Sequence, residues 1–211
     1  PSAVLNGAAD VTTTFWIRTA KAGAQTVLSG ANAANPTEYL AIFPTQDSFE
    51  LHSSGDSATW AIRSIADNLY HHVAVVRDEG NDIAELFIDG VSQGRRNLTL
   101  NALSIDSGRL SLGQNQHSSF HPADALEGTL DDLRIYNRTL KSSEIRTDML
   151  GGLPSTDLLG MWSFDDGNGT AIRDLSSLSN HGTLGSGTTE TEPAWTRQAI
   201  LPGDLLKFDA S

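Results

Sequence analysis

Six stretches of this chain are rich in β-branched and aromatic residues and are cut apart by turn formers. That pattern limits the fold more than any other feature of the sequence. The stretches are VTTTFWIRT (11–19), EYLAIF (38–43), SFELHS (48–53), HHVAVVRD (71–78), AELFIDG (84–90) and RLSLGQ (109–114), each with the composition of a strand. KAGAQ, SSGDSA, DEGND and SIDSG stand between them as turn clusters. No helical period is sustained between strands, so the reading is all-β: an antiparallel two-sheet sandwich or jelly roll. One short helix is predicted over 141–149, KSSEIRTDM, with Ile145 and Met149 four apart and Gly151-Gly152 beyond to stop it. Two further strands are predicted, at 157–166 and 204–211, with Gly, Ser, Thr and Asn dominating 167–203. Such a tail is too short and loop-rich to hold its own core. It is expected to pack on the first 150 residues, making 1–211 one domain.

Charge and composition remove several function classes. The 211 residues carry 26 acids against 14 Lys and Arg, a net charge of -12. A nucleic-acid binder needs a basic stripe, and the chain has none, so no nucleic-acid partner is expected. Cysteine is absent, which excludes disulfides, thiolate zinc sites and cysteine nucleophiles. No apolar run is long enough for a membrane helix. The opening PSAVLNGAAD has neither the basic nor the apolar stretch of a secretory leader, and the expectation is a piece of a longer multidomain chain. GxSxG, GxxxxGK[ST] and HExxH motifs do not occur. Around Glu38, Glu50, Glu79, Glu85, Glu127, Glu144, Glu190 and Glu192 there is no E-x-D-x-E string of the kind that puts paired carboxylates on one strand face. The chain is therefore expected not to be an enzyme. Asn97, Asn137 and Asn168 begin N-x-[ST] sequons, which matter only in a eukaryotic secretory setting.

Several segments together resemble the laminin G-like and pentraxin-like family of concanavalin A-type jelly rolls. They are TTTFWIRT, YHHVAVVRDEGNDIAELFIDGV, LSLGQNQ and LEGTLDDLRIYNRTLKSSEI, the last being the most specific. The tail LLGMWSFDDGNGTAIRDLSSLSNHGTL is similar to the family's opening strand and loop. In the family that strand and a KFD-like strand come first, whereas here they come last. The resemblance implies a circularly permuted domain, with 157–211 supplying the strands that usually open it and Ser211 lying near Pro1. Two positions depart from the family: Tyr70 stands where Trp is usual, and Lys141 where Ser caps the short helix. A lysine cannot accept an orphan N–H, so the cap should be weaker by about 1 kcal/mol.

Candidate metal ligands come from LDDLRIY and from the tail. Strict alternation puts Asp131 on the core face with Leu133 and Ile135, and Asp132, Arg134 and Tyr136 on the other. A core-facing carboxylate must be paired or metal-bound. Asp174 and Asn180 of DLSSLSNHGTL add hard oxygens of the kind Ca²⁺ takes, with Asp165 and Asp166 as weaker ligands. The resemblance adds that family members often hold a structural calcium near these elements. The alternative is that Asp131 caps a turn or pairs with an arginine such as Arg173.

Candidate ligand-binding residues come from the long loop GQNQHSSFHPAD (113–124): Gln114, Asn115, Gln116, His117, Phe120, His121 and Asp124. Amides, acids and histidines can fix sugar hydroxyls, and Trp60 could cover an apolar sugar face. The alternatives are a solvated connection and an ordinary core tryptophan. His71 and His72 open a strand, one facing in and one out, and read as structural histidines. The expectation is a non-catalytic carbohydrate-binding or adhesion module of a secreted or cell-surface protein, with a structural calcium. The alternatives are a protein-interaction module without a sugar site, and a glycoside hydrolase.

Overall fold

The computed structural model describes residues 4–106, 110–116, 124–152, 156–185, 193–196 and 205–208, without the side chains of 205–208. Two antiparallel sheets face each other. The larger contains β1 (Val11–Arg18), β6 (Tyr70–Asp78), β7 (Ile83–Ile88), β8 (Val91–Asn97), β10 (Gly128–Tyr136), β11 (Leu158–Trp162), β14 (Ala194–Thr196) and β15 (Leu205–Phe208). Its order is β14-β15-β10-β1-β6-β7-β8, with β11 also on β10. The smaller contains β2 (Gln25–Gly30), β3 (Tyr39–Thr45), β4 (Ser48–Ser53), β5 (Asp56–Ala61) and β9 (Leu110–Leu112), in the order β5-β4-β3-β2-β9. A small ribbon pairs β12 (Ala171–Ile172) with β13 (Gly182–Thr183). The one α-helix among the described residues, α1 (Ser142–Met149), follows β10. The predicted all-β sandwich and short helix are therefore present.

Alternation fills the space between the sheets. Phe15 and Ile17 of β1, Val73 and Val75 of β6, and Leu133 and Ile135 of β10 meet Phe43, Phe49, Leu51 and Trp60 of the smaller sheet. The tail contributes Trp162 and Phe164 to the same core, as the sequence implied. β15 pairs with Gly128–Leu130 and β11 with Leu133–Tyr136, on one edge of β10. The tail strands thus join the larger sheet. Pro1 and Ser211, whose proximity the permuted reading requires, lie outside the described residues.

Two-residue turns set the hairpin registers. Asp89 and Gly90 both have positive φ, 51° and 72°, as a tight β7–β8 turn matching strand twist requires. A Cβ on Gly90 would also come within 2.9 Å of Arg146 Cγ on α1. This turn and the helix are consequently packed together.

Helix α1 covers part of the larger sheet's outer face. Leu140 and Ile145 pack on Ala74, Val76, Phe87, Tyr136 and Leu158 in a second apolar cluster. Lys141 gives no side-chain cap. Glu144 compensates in part by accepting the Lys141 N–H at 2.8 Å and an Arg138 ion pair at 2.9 Å. Beneath the helix lies a buried polar network. Arg134 donates to both Asp132 oxygens at 3.0 and 2.6 Å, and to Asp148 at 2.7 Å. Tyr136 donates to the same Asp148 oxygen at 2.6 Å, and His72 Nε2 lies 3.5 Å from the other. Burial pushes the Asp148 carboxyl up, but the His72 contact, the Arg134 charge and Tyr136 outweigh it and hold the group at about 2.

Asp148→Ala would leave Arg134 short of a buried partner, so it is expected to cost about 3–5 kcal/mol in urea unfolding. The native-state shift also fixes the pH response. Stability from Asp148 is fully present above its unfolded value near 3.8 and is lost as pH falls toward about 2. Acid titration of the native protein should show that loss, and the Asp148→Ala variant should not.

Candidate functional site

The outer face of the larger sheet is built in rows across its central strands. Even-numbered residues of β1 point outward, because Phe15 and Ile17 point in. Register sets Arg18 between Tyr70 and Thr129, Trp16 between His72 and Asp131, and Thr14 between Ala74 and Arg134. The Thr12 and Thr14 rows are buried, whereas Trp16, Arg18 and Tyr70 are half-buried.

At this open end aromatic and charged groups interleave. The Trp16 and His72 rings meet edge to face at 5.3 Å. The Arg18 guanidinium lies 5.5 Å from the Tyr70 ring centroid, in cation–π range. Thr129 Oγ1 donates to the Tyr70 hydroxyl at 3.3 Å. Burial, with the charges of Asp132 and Asp165 adding, raises the Asp131 carboxyl to about 7. Near neutral pH that group can therefore both donate and accept a hydrogen bond. The partly covered rings and the guanidinium can engage the C–H face and the hydroxyls of a sugar, with buried Thr129 and Asp131 packed behind them.

Asp131 requires a correction. Strict alternation placed it on the core face, but it sits opposite Trp16 on the outer one. The cause is a β-bulge. Asp132 adopts φ 47°, and the β1–β10 register shifts between Thr14 and Trp16. One extra residue reverses facing on one side of it. Leu133 and Ile135 face inward and Arg134 and Tyr136 outward, as alternation predicted.

Trp60 also requires correction, because it has 0% exposure in the core and its Nε1 donates to the Gly94 carbonyl at 2.7 Å. It cannot present a stacking face. It lies on β5, at the opposite edge of its sheet from β9, which precedes the predicted loop. Four strand spacings, about 19 Å, separate the two edges. The loop is closed at its base, where Leu126 N–H donates to the Gly113 carbonyl at 2.9 Å. Gln114 is exposed, while Asn115, Gln116 and Asp124 are half-buried. Gln116 is tied to the Ser29 carbonyl at 2.7 Å. His117, Phe120 and His121 lie outside the described residues.

Two of the predicted calcium ligands, Asp174 and Asn180, are engaged in hydrogen bonds of their own segment. Asp174 accepts Met161 N–H, Ser176 N–H, Ser176 Oγ and Asn180 N–H at 2.6–2.8 Å, which makes it the organiser of its own turn. Asn180 donates to the Leu159 carbonyl at 2.9 Å. Asp166 pairs with Arg173 at 3.4 Å. Asp165 is exposed, and of these groups it is the one whose charge raises the Asp131 carboxyl. Among the described residues no three acids or histidines are arranged to hold a metal ion.

His71 is structural, as expected, with Nδ1 2.8 Å from Asp89 and Nε2 3.1 Å from Asp67. The Asp89 contact leads in raising its pKa, against partial burial. Its stabilising effect is fully present below 6.5 and is lost as pH rises through the raised folded value. Proton NMR titration should find His71 titrating above 6.5, and Asp89→Asn should bring it down.

Trp16, Arg18 and Tyr70 are candidates that the structure brings together. Alternation in TFWIRT already put Trp16 and Arg18 opposite Phe15 and Ile17. Their pairing with Tyr70 depends on register.

Comparison with known proteins agrees with this architecture. The Limulus polyphemus SAP-like pentraxin superposes with a TM-score of 0.61 at 16% identity, over 68% of this chain and 70% of that one. A candidate carbohydrate-binding protein from Bacteroides ovatus superposes with a TM-score of 0.69 at 13% identity, over 97% of this chain and 55% of that one. The CBM40 module of the Ruminococcus gnavus IT-sialidase, bound to α2,3 sialyllactose, gives a TM-score of 0.54 at 12% identity, over 67% of this chain and 83% of that one. At these identities the likeness is one of fold. The family model for Laminin_G_3, the concanavalin A-like lectin/glucanases superfamily, matches residues 1–146, and the chain belongs to that family.

Proposed function

We propose that this chain is a non-catalytic glycan-binding module of a larger secreted or cell-surface protein. Its glycan would be held on the open end of the larger sheet's outer face. The observation that carries this reading is the placement of half-buried Trp16 and Tyr70 beside Arg18, Thr129 and Asp131, all on paired strands. Rigid strands hold such groups with little ordering cost on binding. Neighbouring folds include a module seen with sialyllactose, which supports a glycan as the ligand class. The 113–124 segment, which links β9 of the smaller sheet to β10 of the larger, remains the second candidate.

A glycoside hydrolase is the second reading, favoured by one observation: Asp131 is raised to about 7 with Asp165 near enough to contribute. Asp132 is unavailable as a partner acid because Arg134 holds both its oxygens. A structural calcium would have to use Asp131 and Asp165, since the Asp174 turn is satisfied by its own N–H groups. Two carboxylates supply at most four of the six to eight oxygens required. The tail belongs to the proposal as well, as the permuted start of the domain. Its β11 and β15 pair with β10, so a chain ending at Gly152 is expected not to melt cooperatively.

The decisive experiment is a glycan array run with calcium and with EDTA, followed by titration of the best glycan. Trp16→Ala should weaken that glycan by about tenfold or more, which is about 1.4 kcal/mol, without changing the fold. Undiminished binding would move the site off this face. Reducing sugar released by the native protein and abolished by Asp131→Asn would establish the hydrolase instead. A melting curve unchanged by EDTA, from metal-free protein, would remove calcium.

A further inference from the structure

The same sheet face holds a second concavity, beyond helix α1 from the Trp16 row. It has a volume of ≈ 240 Å³ and lies between the outer positions of β6, β7 and β8 and residues 139–142. Resting on the glycan-binding reading, we infer that it is a subsite for one neutral pyranose unit of the glycan.

Size is the first argument. Sites for drug-sized ligands run from about 300 to 1,000 Å³. This cavity is smaller, on the scale of one sugar ring.

The lining is the second argument. Its apolar floor is buried: Val76 and Phe87 come from the sheet, and Leu140 from the segment entering α1. A sugar's C–H face can rest there. The rim carries Glu85, Arg95 and Lys141. Glu85 is fixed in place, since Ser92 Oγ donates to Oε1 at 2.6 Å and Arg95 Nε to Oε2 at 2.9 Å. Register places Glu85 directly opposite Arg95, next to an irregularity in the β7–β8 pairing. Each Glu85 oxygen keeps a lone pair for a hydroxyl. The Lys141 ammonium makes no hydrogen bond or ion pair among the described residues, so its donors are available.

Charge balance is the third argument. Asp78 and Glu85 offset Arg95 and Lys141 in the lining. A neutral ligand with many hydroxyls finds donors and acceptors here, whereas a charged sugar meets no net field. The position of Lys141 gains a reason on this reading. It cannot cap the helix, and it contributes a donor to the rim.

The test is an NMR titration of the native chain with methyl glycosides of glucose, galactose and mannose, with glucuronate as the charged control. At least one neutral glycoside should give saturable shifts at the amides of Glu85, Arg95 and Ser142, and glucuronate none. Lys141→Ala and Glu85→Gln should each weaken those shifts by about tenfold. Ser142→Trp, which fills the cavity from its rim, should abolish them while leaving the melting curve in place. A glycan lost with Trp16→Ala but indifferent to all three variants would overturn the subsite and leave the glycan-binding function standing. An array on which no glycan binds would overturn both. Shifts that follow glucuronate and not the neutral sugars would also overturn the assignment.

Discussion

The β-bulge at Asp132 is the constraint on which the central sheet depends. β10 carries β1 on one edge and two tail strands on the other, β15 before the bulge and β11 after it. The two tail partners are separated by Asp131 and Asp132. The extra residue turns Asp131 outward beside Trp16 while keeping Leu130, Leu133 and Ile135 in the core. It also sets Asp132 where Arg134 can grip both its oxygens. Ladder, helix docking and candidate site thus share one left-handed residue.

Two arginines are buried in different ways. Arg134 has two carboxylates, and the phenol and imidazole around Asp148 complete the network under α1. Breaking such a pair is costly because the remaining charge stays buried. Arg77, with 0% exposure, has no carboxylate within ion-pair distance among the described residues. It donates instead to the Ser53 and Ser54 hydroxyls and to the Ala9 and Asn101 carbonyls. Burial lowers its pKa. Neutral acceptors from three chain segments, the end of β4 and its turn, the stretch before β1 and the stretch after β8, satisfy the fork, so the side chain ties those segments to the end of β6.

The outer face divides into three zones because α1 covers only its middle. Beneath the helix the rows are closed and serve stability. At one end Trp16, Arg18 and Tyr70 remain partly accessible, and at the other the Glu85–Arg95 pair borders the small cavity. A helix of eight residues is about 12 Å long, so both openings remain beside it on one surface. A short oligosaccharide could contact both.

Much of the architecture was written in the sequence, because strand signals are local. β1, β3, β4, β6, β7, β9 and α1 fall where composition and alternation put them. β2, β5 and β8 escaped for physical reasons. QTVLSG is short, DSATWA mixes small and polar residues, and VSQGRRN is a charged strand at a sheet edge, a composition that discourages pairing with other chains. The core face of β1 was also legible, since period-two alternation needs no partner. What alternation could not reveal was the bulge, for a backbone excursion at Asp132 leaves no trace in LDDLRIY. One residue of slip sent Asp131 to the outer face. Trp60 is in the core, yet a tryptophan after a polar turn reads the same on the rim or in the core until the opposite sheet is in place. The pairing of Trp16 with Asp131, and of Arg18 with Tyr70, was decided by register between strands more than fifty residues apart. The sequence alone determined the strands and their inward faces, and the tertiary structure decided which polar residues meet on the outer one. Hydrophobic alternation acts within a strand, whereas a binding surface is made by contacts between strands.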